Sequence, residues 1–136
     1  MASWGQAMSL YHQLWRRPPE ADLKRGGDLL EHARQLKPKT EREREYISAL
    51  AVFYRDSDKL DHPQRADAYA AAMESLHKHN PKDREAAVFY ALSLLGSKSD
   101  DPTLANPRKA VAILNQLFEQ DPGHLRTTLF MLATIQ

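Results

Sequence analysis

A chain of 136 residues with nineteen basic and eighteen acidic side chains has a formal charge of +1, no cysteine and a hydrophobic share of 42%. That length and apolar content build one ordinary core, while the near-neutral balance gives no electrostatic footprint for nucleic acid or an anionic membrane. The missing cysteines exclude disulfides, thiolate metal sites and cysteine nucleophiles. No stretch reaches the ~18 uninterrupted apolar residues of a membrane span, and the N-terminus lacks the basic, apolar, small-residue order of a signal peptide. The compartment stays open, with the cytoplasm favoured.

Alanine, leucine, arginine and glutamate dominate and glycine is scarce, so local propensity is helical throughout. Proline is tolerated in a first helical turn but not in a helix interior, so the eight prolines bound the segments. Helices are expected over 2–14, 19–36, 41–54, 63–79, 84–95, 107–120 and from 124 to the end. In the first, Trp4, Met8, Tyr11 and Trp15 are spaced by three or four. Trp15, beside Arg16, Arg17 and Pro18, either stacks on a ligand or pins its loop to the core. Thr40 followed by Glu43 has capping-box spacing. Asp83 caps the helix from Arg84, and Asn106 caps one with Pro107 at its first position.

Three stretches share one layout. "ARQLKPKTEREREYISAL", "SLHKHNPKDREAAVFYAL" and "LFEQDPGHLRTTLFML" each hold a helix end, a proline, a short polar turn and a new helix. The joint prolines Pro38, Pro81 and Pro122 lie 43 and 41 residues apart, and the prolines that open the intervening helices, Pro19, Pro63 and Pro107, lie 44 and 44 apart. Two helices per unit at such a period mark a helical solenoid.

Offsets of twelve, eight and five residues before each joint proline give Gly26, Leu30 and Ala33, then Tyr69, Met73 and Leu76, then Ala110, Leu114 and Leu117. A shift to Ala68 and Ala72 would restore small residues in the second set. In the other helix of each pair, Gly5, Ser48 and Ala91 are the small residues expected at a helix crossing, preceded by Trp4, Ile47 and Tyr90. With these residues the chain resembles the tetratricopeptide repeat family, whose units of ~34 residues pair a helix A with a helix B. The resemblance implies one all-α domain over 1–136, an α-α superhelix of about three helix pairs plus a trailing helix. Its units are 1–38, 39–81 and 82–122, with a partial fourth at 123–136. The departure is a longer A to B connection in every unit, "LWRRPP", "RDSDKLDH" and "GSKSDDPTLAN".

The histidine-bearing joint is therefore read as a joint. His77 and His79 are two apart and point about 200° apart on a helix, so they do not chelate one ion together. "DSDKLDH", from Asp56 to His62, lacks the central glycine and terminal glutamate of an EF-hand, and reads as a solvated connection. "TEREREY", from Thr40 to Tyr46, is a solvent-facing helix start. No nucleophile elbow or phosphate-cradling glycine loop occurs. No catalytic residue, metal or cofactor is expected.

One segment, "EAAVFYALSLL", is apolar on every side and needs covering all round. By resemblance, Val52, Phe53, Phe89 and Leu92 line the concave groove of the superhelix. The expected function is a non-catalytic scaffold that holds a protein or peptide partner in that groove. The opposing possibility is a tight superhelix that fills its own groove. Two further alternatives stay open: a regulatory or substrate-positioning module of a larger enzyme or assembly, and a helical-bundle enzyme built from scattered residues. The apolar segment 124–136 has no polar capping helix after it, so either a longer native chain or self-association through that end is expected.

Overall fold

The computed structural model describes residues 1–12, 14, 16–97, 102–124 and 126, and it is all-helical. The elements are α1 (Ala2–Tyr11), α2 (Glu20–Gln35), α3 (Glu41–Tyr54), α4 (His62–His79), α5 (Arg84–Gly96) and α6 (Ala105–Gln120). Most of the segment expected from residue 124 onward lies outside the described residues, as does Trp15. No described helix is long and apolar enough to cross a membrane.

Each helix packs chiefly on its neighbours in the chain, and α1 also packs on α3. The connections within a pair run to eight, seven and eight residues, while the joints α2 to α3 and α4 to α5 take five and four. Among the described residues His12, Asp56 and Leu104 of the longer connections adopt the left-handed region, as does Lys37 in the first joint. Side-chain caps open the helices that follow both joints. Thr40 Oγ1 accepts the Glu43 N–H at 3.1 Å while the Glu43 carboxylate receives the Thr40 N–H at 3.4 Å, the expected capping box. Asp83 Oδ1 accepts from the N–H groups of Glu85 and Ala86. A second box, Asp61 with Gln64, starts α4.

One cap is corrected. The last described helix starts at Ala105, behind Leu104 in the left-handed region, and Asn106 turns its amide to Ser97 Oγ at 3.0 Å instead of capping. Pro107 thus falls in the third helical position, where its missing N–H is still harmless.

The B-helix offsets all face inward. Gly26, Leu30, Ala33, Tyr69, Met73, Leu76 and Ala110 are buried, with Leu114 and Leu117 half-buried, and no shift to Ala68 and Ala72 is needed. The A-helix frame is corrected: Gly5 is exposed with nothing within 4 Å of an added Cβ, and Ser48 is exposed. Among the buried small residues of α1, α3 and α5, Ala7, Ala49 and Ala91 recur at a step of 42, each followed at once by a buried larger residue, Met8, Leu50 and Leu92; α5 also buries Ala86, Ala87 and Ser93. A small side chain there lets helices approach while its larger neighbour fills the groove beside it.

Candidate functional site

Of the four residues expected to line a groove, only Val52 keeps part of its surface. Phe53 is fully buried, with the Tyr11 ring 3.8 Å away between centroids and His62 at 5.6 Å. Phe89 lies edge-on to Trp4 at 5.2 Å and to Tyr46 at 6.2 Å. Leu92 packs with Val88, Leu114 and Leu117. The expected open groove is therefore corrected at Phe53, Phe89 and Leu92: aromatic rings of α1 cover the first two, and leucines of α6 cover the third. Trp4 is fixed by its Nε1–H, which donates to the Tyr46 carbonyl at 3.0 Å, and Tyr54 Oη donates to the Ala7 carbonyl at 2.5 Å. The helices thus fill the space between them, and α1 rather than a connection covers Phe53 and Phe89.

Burial has consequences for the polar atoms in this core. It pushes the hydroxyls of Tyr11, Tyr54 and Tyr69 well above the ordinary phenol range, so they stay protonated. Arg65 is 5% exposed, its guanidinium 4.9 Å from the centre of the Phe53 ring, and its Nη1 has no hydrogen-bond partner. Burial lowers its pKa, because the charged form is the one that loses solvation.

Two open clefts lie at the proline joints, and a third of about 280 Å³ lies between α4, α5 and α6 beside Asp67, Glu74 and Tyr90. One cleft of about 340 Å³ lies where α2 turns into α3, with Ala33, Leu36 and Ile47 as its apolar wall and Lys37, Pro38 and Lys39 along its rim. A second, of about 420 Å³, lies where α4 turns into α5, with Ala87, Ile113 and Leu117 as its wall and Pro81 and Lys82 along its rim. Gln116 and Gln120 close its α6 side. These volumes fall near the lower end of the ~300–1,000 Å³ typical of ligand clefts.

The acids around both clefts are already engaged. Glu43 accepts the N–H groups of Lys39 and Thr40. Asp83 receives Arg42 Nε at 2.5 Å and the Tyr46 hydroxyl at 3.1 Å, besides its two helix-start N–H groups. Burial alone would raise the Asp83 pKa, but the Arg42 and backbone hydrogen bonds outweigh it and hold the carboxyl below its usual value. Arg84 binds Asp121 at 2.7 Å, a second arginine tie from one unit to the next joint. By contrast, no described carboxylate lies within ion-pair distance of Lys37, Lys39 or Lys82.

Comparison with protein-family models, with curated proteins and with solved structures gives no match. The joint clefts therefore stand on their own geometry. Their rims carry a signal visible in the sequence, the Pro-Lys doublet at 38–39 and again at 81–82. It escapes notice because attention to apolar residues at fixed offsets points to the concave side. The two histidines separate as their spacing requires: His79 pairs with Glu45 at 3.0 Å, and the His77 ring stacks on Tyr90 at the edge of the second cleft. Asp56 pairs with Lys59 across its exposed connection. Among the described residues no group of three or more His, Asp or Glu is placed to share a metal ion.

Proposed function

We propose that this chain is a non-catalytic binding scaffold of tetratricopeptide-repeat type, an α-α superhelix that presents its joint-bearing edge to a protein or peptide partner. One observation carries this reading: consecutive helix pairs bury Ala7, Ala49 and Ala91 at a constant step of 42 residues. A constant step places equivalent surfaces side by side, and repeated surfaces are what extended partners engage. The open clefts add support, since aliphatic walls with flexible lysines and glutamines at the rim suit the side chains of a peptide.

The test is selection of displayed random peptides on the immobilised full-length chain. Enriched sequences are expected, and each should be displaced by its own free peptide. Failure to enrich any sequence on a chain shown by circular dichroism to be folded would overturn the reading.

A further inference from the structure

The two joint clefts have the same composition of charge, and that composition selects a ligand. In each, the carboxylates that touch the cleft are consumed internally. Glu43 holds the backbone of its own helix start, and Asp83 is held by Arg42, Tyr46 and two N–H groups. Arg84, the one arginine at the second cleft, is bound to Asp121. What remains uncompensated among the described residues is cationic: Lys37 and Lys39 at the first cleft, Lys82 at the second. Each ammonium group stands at the rim of an aliphatic wall, Ala33, Leu36 and Ile47 or Ala87, Ile113 and Leu117.

A lysine stem contributes apolar surface along its length and keeps its charge at the tip. The complement is an aliphatic side chain seated on the wall, with a carboxylate close by in the same chain to meet the ammonium group. We propose that the proline-joint clefts bind an acidic peptide segment with aliphatic anchors. The proposal rests on the peptide-binding reading above and narrows it to one partner chemistry. The clefts differ in their third side, the start of α1 at the first and α6 at the second, so each takes its own anchor-and-acid pair. Because the paired charges lie at a solvent-exposed rim, added salt weakens the complex by screening.

Fluorescence polarisation with three labelled decapeptides tests this on the full chain: one of glutamate and leucine, one of glutamine and leucine, and one of lysine and leucine. Binding to the glutamate probe is expected, at least about tenfold tighter than to the glutamine probe, with none to the lysine probe. The double variant Lys39→Glu, Lys82→Glu should lose about tenfold or more for the glutamate probe while keeping its circular dichroism and melting temperature, since both side chains are exposed. Equal affinity for the three probes, or no effect of the double variant, would overturn the acidic-ligand proposal and leave the peptide-binding reading standing. Silence from all three probes, when peptide selection succeeds, has the same meaning. Silence in both experiments removes both readings. Light scattering on the same samples covers the remaining occupant: a doubling of mass with concentration that the double variant abolishes would assign the clefts to a second copy, and would also overturn the proposal.

Discussion

At the scale of single residues, the interior is set by where side chains are absent and where they are charged. Gly26 lies beneath the ring of Tyr54, and an added Cβ would come within 2.3 Å of ring atom Cζ. Tyr54 has little room to retreat, because its hydroxyl is anchored on the Ala7 carbonyl across the α1 to α3 contact. Gly26→Ala gains helix propensity of about 1 kcal/mol but must displace that ring, and forced overpacking costs about 1–3 kcal/mol or more. A net loss of about 1 kcal/mol is expected in urea denaturation; a variant as stable as the parent would show that the ring moves freely. Arg65 is the opposite case: its Nε donates to the Asp61 carbonyl at 3.4 Å, Nη1 has no partner, and no described carboxylate forms an ion pair with it. Its contact with the Phe53 face returns about 2 kcal/mol when desolvated, against about 1–3 kcal/mol for a buried donor left unsatisfied, and more for a charged one. Arg65→Met keeps the stem, drops the charge, and should leave stability unchanged or raise it by about 1 kcal/mol. A loss above about 1 kcal/mol by thermal melting would mean the guanidinium contributes more than it takes.

At the scale of elements, the joints carry the ordering between units, and Asp83 is the residue on which one joint turns. It is an N-cap, an acceptor for Tyr46 and the partner of Arg42, so its side chain joins α3 to the start of α5. Its pKa is held below the ordinary value despite the upward push of burial. A depressed carboxyl adds stability that is present above the unfolded pKa of about 3.9 and is lost as pH falls from there through the lower folded value. Asn caps a helix about as well as Asp, so Asp83→Asn removes the charge and spares the cap. Because Arg42 is 42% exposed, solvent screening limits the effect to about 1 kcal/mol at pH 7. Melting temperatures should show the variant less stable at pH 7 and converging on the parent below about pH 4. Parallel curves across that range would remove the Arg42 tie as the cause. Helix starts of this kind were legible in the sequence: α3 occupies the expected span, and both Thr40 and Asp83 cap where spacing placed them. Asn106 was misread, since a leucine taking the left-handed conformation at position 104 leaves no compositional trace. Small residues were legible as a class but not in register. Gly5 and Ser48 fit a crossing as well as Ala7 and Ala49 do, until the packing partner is known.

At the scale of the whole molecule, the contact that sequence offsets could not supply is the one that closes the groove. Periodicity describes how each helix meets its neighbours and is silent on contacts beyond them. Here Trp4 of α1 reaches Phe89 of α5 while also bonding Tyr46 of α3. That changes the expected energetics. In an open solenoid each unit feels only its neighbours, so a defect in the first helix leaves the third pair untouched. In this chain one tryptophan joins three helices, and the first and third pairs should open together. Trp4→Ala deletes two edge-to-face ring contacts and a hydrogen bond from a side chain that is partly exposed, a loss of about 2–3 kcal/mol. Native-state hydrogen exchange by mass spectrometry reads where that loss is felt. Amides of α5 should lose protection alongside those of α1, even though 85 residues separate Phe89 from Trp4 in the chain. Protection lost only through α1 to α3, with α5 unchanged, would mean that the Trp4 to Phe89 contact adds nothing and that the units behave as an ordinary linear stack. The same experiment bears on function: if α5 is held by α1, the space around Phe53 and Phe89 opens only when the molecule does, and a partner must find its footing on the joints outside.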